Sequence, residues 1–79
     1  MPQLPAISGK SFLKFLQAIG FVLVRINGSH HRLKHNDGRV TTVPVHKNQI
    51  LPKGLLRKII REDLKLDVEE FIKLLGKHK

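Results

Sequence analysis

The 79-residue sequence contains no cysteine, tryptophan or tyrosine, and it has only six acidic residues. Without cysteine it can form neither disulfides nor thiolate metal sites, which agrees with a reducing cytoplasm. Its longest apolar run is four residues, 21–24, whereas a membrane-spanning helix needs roughly 20 and a signal peptide also needs a longer apolar segment. We therefore expect a cytoplasmic protein with no membrane contact.

Aromatic side chains are limited to four phenylalanines, and all four occupy positions that we expect to be buried. Stacking of nucleic-acid bases requires exposed aromatic rings, so base stacking is not expected here. A chain of this length buries only about 60–65% of its unfolded surface, which leaves no room for a deep enclosed pocket. We expect a single domain over residues 1–79 whose function lies on an open face.

Acidic residues are nearly missing from the first three quarters of the chain. Residues 1–61 contain eleven lysines and arginines but one acid, Asp37, whereas residues 62–79 contain four basic and five acidic residues. The net charge of +9 and its uneven distribution favour nucleic acid as the partner. A solubilising surface, or an acidic protein partner, is the alternative explanation of the same charge.

The first half of the chain has the pattern of one helix followed by three strands. Apolar residues recur at helical spacing over about residues 9–19, with Ser8 as the N-cap and Gly20 as the stop. β-Branched residues then predict strands at 21–26 and 39–45, and the segment 30–35, enclosed between two Gly-containing turns, is most simply a strand as well. The Gly-containing turns at 27–29 and 36–38 are short enough to join them as an antiparallel meander.

Two further helices are predicted after the strands. Apolar residues recur at helical spacing from Leu55 to Ile60, and Asp67 with Glu70 has the spacing of a capping box for a third helix that ends at Gly76. The predicted fold is α+β, α-β-β-β-α with a three-stranded antiparallel sheet and an extra C-terminal helix, as in double-stranded-RNA-binding domains. Residues 1–7 would be an extended lead-in, 8–75 the core and 76–79 a tail, with helices on one face of the sheet only.

The second strand contains three of the five histidines. Strand alternation places His30, Arg32 and Lys34 on one face. The other face contains His31, Leu33 and His35, and Leu33 identifies it as the core side. His30 is therefore expected on the open face among cations, where it can act as a general acid or base or simply contact phosphate. For His31 and His35 a structural role is the better prediction.

Histidine spacing argues against a metal site. In a strand, His31 and His35 are roughly 13 Å apart, too far to share one ion, and few acids lie near them in the sequence. We expect neither a metal nor another cofactor.

Two further groups of residues are candidates for RNA contact. The backbone amides of the Gly28-Ser29 turn can form a concave anion site, although an ordinary hairpin turn explains the same residues. The second helix has basic side chains that can contact phosphates, meet an acidic partner or remain solvated. These are Lys53, Arg57, Lys58 and Arg61. Recognition would then depend on shape, phosphate and 2′-OH groups.

An ordered series of short motifs over about residues 9–75 resembles a known family. In chain order they are Gly20-Phe21, Gly28-Ser29-His30-His31, His35-Asn36-Asp37-Gly38-Arg39, Thr42-Val43-Pro44-Val45-His46 and Leu51-Pro52-Lys53-Gly54 before a helix with Ile59. Each motif alone is weak, but the series at these spacings resembles the HicA-type (YcfA-like) toxins of toxin–antitoxin systems.

This resemblance implies an mRNA-cleaving endoribonuclease and a cognate HicB-type antitoxin that covers its active face. It also implies that the histidine of the Gly-Ser-His segment is catalytic, which is His30 here. Some members place that histidine one position later, so His31 is the alternative, and strand alternation favours His30. Arg32, Lys34 and the basic helix would then neutralise phosphates. The alternative is a non-catalytic RNA-binding or protein-interaction module of the same fold.

Overall fold

The computed structural model describes residues 3–47 and 49–78 and confirms the predicted α+β fold. Helices and strands follow one another as α1 (Gly9–Ala18), β1 (Phe21–Asn27), β2 (His30–His35), β3 (Val40–Pro44), α2 (Lys53–Lys58), a π-helical segment (Ile59–Asp63) and α3 (Val68–Lys77). No helix within the described ranges is long and apolar enough to cross a membrane. The outermost residues of the predicted lead-in and tail, 1–2 and 79, lie outside the described residues.

The three strands form an antiparallel meander with β2 in the centre. β2 occupies the predicted residues, while β3 is one residue shorter at each end than predicted. The helices pack on one face of this sheet, where Phe21, Leu33 and Val43 are buried. The opposite face stays open, as predicted, because the sequence supplies no second apolar layer to cover it.

Phenylalanine rings join the helices on the packed face. Phe12 and Phe15 of α1 contact Phe71 of α3, with ring centroids 6.0 and 5.2 Å apart respectively. Leu4 and Ile7 of the lead-in are also buried in this core. The backbone N–H of Leu51 donates to the Ile7 carbonyl at 2.8 Å, which holds the lead-in against the loop before α2.

Both predicted N-caps are present. Ser8 Oγ accepts from the Ser11 N–H at 3.1 Å, and the side chains and backbones of Asp67 and Glu70 form a reciprocal capping box. The predicted stop at Gly76 is wrong, because α3 continues to Lys77. A glycine ends a helix by adopting positive φ, and Gly76 is not among the glycines with positive φ.

The second helix changes its winding at Ile59, which the sequence did not predict. The N–H of Leu64 donates to the carbonyl of Ile59 at 2.9 Å, the i→i+5 bond of a π-helix. This wider turn allows Ile59, Ile60 and Leu64 to be buried together. It also brings Asp63 to β3, where its carboxylate accepts from the Thr41 hydroxyl at 2.9 Å.

Gly9, the first residue of α1, is buried against the end of β3. A Cβ at this position would lie 2.6 Å from the carbonyl oxygen of Pro44 and 3.1 Å from the Cα of Val45. Both neighbours are backbone atoms, so rotation of a side chain cannot relieve the contact. The helix therefore approaches the strand more closely than any other residue type would allow.

Gly20 is expected to be intolerant of substitution. It has φ +107°, and a Cβ there would lie 2.8 Å from Nε2 of His35, a ring held in place by the Ile19 carbonyl at 3.1 Å. We expect Gly20→Ala to lower the free energy of unfolding by roughly 1–3 kcal/mol, measured by urea denaturation. Gly76→Ala is the matched control and should stabilise by about 0.5–1 kcal/mol, because Gly76 lies inside a helix. Equal effects of the two substitutions would contradict this explanation.

Candidate nucleic-acid interface

A β-bulge in β1 determines which of its side chains reach the open face. Leu23 pairs with Leu33 and Arg25 pairs with Arg32, so Val24 is an extra residue between these two pairs. Leu23 faces the core, and an unbroken alternation would turn Arg25 towards the core as well. The bulge instead reverses the alternation and places Arg25 on the open face.

The open face consists of three cross-strand rows of residues. From one end of the sheet these are Asn27, His30 and Pro44, then Arg25, Arg32 and Thr42, then Val22, Lys34 and Val40. Among the described residues of these rows there is no carboxylate. The residues of the first two rows other than Pro44 line a shallow depression that is polar and basic, whereas Val22 in the third row is a 62% exposed apolar side chain.

His30 lies in that depression, on the predicted face. The depression is lined by Arg25, Asn27, His30, Arg32 and Thr42, and His30 itself is exposed. An imidazole in this position is open to solvent and flanked by two guanidinium groups on neighbouring positions of the sheet. It can accept or donate a proton at a ligand that the arginines hold.

His31 and His35 lie on the packed side, also as predicted. Because a carbonyl oxygen only accepts, Nδ1 of His31 is the donor to the Ser29 carbonyl at 3.0 Å, and Nε2 of His35 is the donor to the Ile19 carbonyl at 3.1 Å. Nδ1 of His35 accepts from the Asp37 N–H at 3.2 Å. Both rings are half-buried and join turns to neighbouring elements. No three His, Asp or Glu side chains of residues 3–47 and 49–78 form a metal-site cluster.

The turn before His30 is attached to the end of β3. Gly28 has φ +61°, which agrees with the predicted turn, and the carbonyl of Ser29 accepts from both the Val45 N–H at 2.7 Å and the ring of His31. Ser29 therefore fixes the start of β2 against β3. This arrangement gives the turn a structural role next to the depression.

Of the four basic residues predicted on the second helix, the structure brings Lys58 to the sheet. Lys58 lines a second depression together with Asp63 and with Arg32 and Thr42 of the open face, so the two depressions share Arg32 and Thr42. The other three basic residues are exposed on the helix and line neither depression. They are Lys53, Arg57 and Arg61.

Asp37 and Arg39, in the turn between β2 and β3, form hydrogen bonds and an ion pair with each other. The carboxylate of Asp37 accepts from the backbone N–H of Arg39 at 3.0 Å and from its Nε at 2.8 Å. These contacts, led by the backbone hydrogen bond, lower the pKa of Asp37 below its usual 3.8. Arg39 also donates to the Leu64 carbonyl at 2.7 Å and lies over the ring of Phe21. The charge of Arg39 is therefore paired within the fold, whereas no ion pair among the described residues involves a side chain of the open face.

Sequence reasoning missed Arg25, Asn27 and Thr42. Arg25 follows three apolar residues and Asn27 lies in a turn signal, so neither has a clear face without the bulge. One signal was present: strict alternation from the core residues Phe21 and Leu23 would bury Arg25, and a buried unpaired guanidinium is so costly that a bulge is the better explanation.

The fold and this face define a small α+β protein of the double-stranded-RNA-binding-domain layout with an open, basic sheet surface. A family model described as the HicA toxin of bacterial toxin–antitoxin systems matches residues 9–64. The chain belongs to this HicA toxin family, which confirms the resemblance noted in its motifs. Family membership implies a cognate antitoxin as partner. A search of the curated proteins finds no match.

Proposed function

We propose that this protein is a HicA-type mRNA endoribonuclease that cleaves RNA on the open face of its sheet, with His30 as the general base and acid. One observation supports this most directly: an exposed histidine shares a depression with two arginines, on a face whose described residues include no carboxylate. A polyanion is the ligand that such a surface attracts.

The proposed reaction uses the ribose itself as the nucleophile. His30 takes the proton from the 2′-OH, and the 2′ oxygen forms a bond to the adjacent phosphorus while the bond from phosphorus to O5′ breaks. The proton then passes from the imidazolium of His30 to the leaving O5′. The products are a 2′,3′-cyclic phosphate and a 5′-OH end, and the histidine returns to its starting state. No metal or other cofactor is required in this scheme, because the nucleophile is already part of the substrate.

His30 is the better candidate than His31 for this role. His30 is exposed among cations, whereas the ring of His31 is half-buried on the packed side and donates to the Ser29 carbonyl. A residue that exchanges protons with RNA must reach the RNA, and the open face is the one that the helices leave uncovered. His31 is better explained as a support for the turn before His30.

The remaining basic residues would bind phosphates along the RNA on either side of the cleaved bond. Lys58 adds a positive charge beyond the edge of β3, in a depression that it shares with Arg32 and with Asp63, whose carboxylate accepts from Thr41. The proposed RNA-binding residues are Gly28, Ser29, Arg32, Lys34, Lys53, Arg57, Lys58 and Arg61. A HicB-type antitoxin would inhibit the enzyme by covering the same face, and both proteins would act in the cytoplasm, where mRNA is translated.

RNA cleavage by the purified protein in EDTA tests this function. We expect internal cuts that leave 2′,3′-cyclic phosphate and 5′-OH ends, and growth arrest on expression that is relieved by co-expression of a neighbouring antitoxin reading frame. Salt-dependent RNA binding without cleavage or growth arrest would instead identify a non-catalytic RNA-binding module. Cleavage that stops in EDTA and returns with a divalent ion would contradict the 2′-OH mechanism.

A further inference from the structure

Arg25 and Arg32 are placed directly opposite each other in the pairing of β1 with β2. Both are exposed and line the same depression. In the described part of the chain, the one ion pair within 4 Å joins Asp37 and Arg39, and the ring of His35 also lies within 4 Å of the Asp37 carboxylate. Neither arginine forms an ion pair with a described carboxylate, and Asp63, which lines the second depression with Arg32, accepts from the Thr41 hydroxyl.

Like charges directly opposite each other in a sheet are destabilising. The arrangement is also produced by a local irregularity, because Arg25 reaches this face only through the bulge at Val24. Bulges of this kind commonly redirect a side chain next to an active site. An anion between the two guanidinium groups would convert the repulsion into attraction. A phosphate suits this position, because the planar guanidinium of an arginine can donate two parallel hydrogen bonds to it.

We infer that Arg25 and Arg32 together bind the scissile phosphate of the RNA beside His30. This inference rests on the proposed function and adds a catalytic residue, Arg25, that was not among the residues predicted from the sequence. In the proposed reaction, negative charge increases on the non-bridging phosphate oxygens as the 2′ oxygen attacks. Hydrogen bonds from two guanidinium groups strengthen as that charge develops, which lowers the barrier rather than only strengthening RNA binding.

Substitution of Arg25 separates this role from a general contact with the RNA backbone. We expect Arg25→Gln to lower the single-turnover cleavage rate at saturating RNA by about 10- to 10²-fold, the usual effect of losing a hydrogen bond to a charged group. Arg25→Lys keeps the positive charge but loses the planar guanidinium that can donate two hydrogen bonds to one phosphate. It should therefore restore RNA binding more than it restores the cleavage rate. Lys73→Gln on α3 removes one positive charge from an exposed position elsewhere and should leave the rate unchanged.

Thermal stability distinguishes a catalytic pair from a structural one. Because the two arginines repel each other in the free protein, Arg25→Gln should leave the melting temperature unchanged or raise it. A lower melting temperature together with slower cleavage, or an effect on KM without an effect on the saturated rate, would overturn the inference.

Inorganic phosphate provides a probe that does not depend on cleavage. Titration of the wild-type protein should shift the Nε–H NMR signals of Arg25 and Arg32, and the Arg25→Gln variant should bind phosphate more weakly. If no RNA is cleaved but these signals shift, the proposed function fails while the anion site stands. If RNA is cleaved normally by Arg25→Gln and phosphate shifts neither signal, the inferred pair fails while the proposed function stands.

Discussion

Replacing His30 with alanine is expected to lower the rate of RNA cleavage by about 10²–10⁴-fold, the range usual for loss of a general acid–base residue. The imidazole is exposed on the open face, so its removal leaves no cavity and should not destabilise the fold. RNA binding should weaken only slightly, because the neighbouring arginines remain. Single-turnover cleavage and filter binding on the same RNA separate the two effects.

His31→Ala is the matched control, since it removes the adjacent imidazole from the other face of the same strand. This substitution deletes the hydrogen bond to the Ser29 carbonyl, so its main effect should be on stability, about 0.5–1.5 kcal/mol. At a temperature where both variants are folded, His31→Ala should cleave far faster than His30→Ala. The reverse order would assign catalysis to His31 and overturn the assignment of His30.

Replacing Phe71 with alanine should be the most destabilising of the substitutions considered. Phe71 is fully buried and packs edge-on against Phe12 and Phe15 of α1. Truncation of a buried phenylalanine costs about 3–5 kcal/mol, whereas a whole domain is stable by only about 5–15 kcal/mol. We expect a melting temperature lower by more than about 12 °C, measured by circular dichroism.

The Phe71 prediction also tests whether α3 is part of the fold. The family match ends at residue 64, before this helix begins, yet Phe71 is fully buried in the core. Lys73→Ala, at an exposed position of the same helix, should change stability by less than about 0.5 kcal/mol. Similar melting temperatures for the Phe71→Ala variant and the wild-type protein would show that α3 is an appendage.

Features set by local periodicity were predictable from the sequence. Short Gly-containing turns fixed the ends of β2, and Leu33 identified its core side, so His30 and Arg32 could be placed on the open face from alternation alone. The capping box at Asp67 was equally local. In these cases the neighbouring residues alone determine where a side chain lies. A shift of one residue in strand register, for example, would turn every side chain of the strand to the opposite face.

The remaining features depend on packing between distant elements. The π-helical turn accompanies the joint burial of Ile59, Ile60 and Leu64, whereas the sequence pattern of residues 53–61 suits an ordinary α-helix equally well. The bulge at Val24 places Arg25 in the site, and it depends on the pairing of β1 with β2, in which Leu23 lies opposite Leu33 and Arg25 opposite Arg32. The prediction that α3 ends at Gly76 was wrong because a glycine can end a helix or simply lie within it.

The close approach of Gly9 to Pro44 has a consequence for the proposed toxic activity of this protein. Pro44 lies beside His30 in the sheet, and Val45 is hydrogen-bonded to Ser29, so the α1 terminus supports the proposed active site from behind. Any larger residue at position 9 must displace that backbone. If the proposed function holds, cells that survive expression of this toxin should therefore include mutants at Gly9, whose open face keeps its side chains and remains available to an antitoxin.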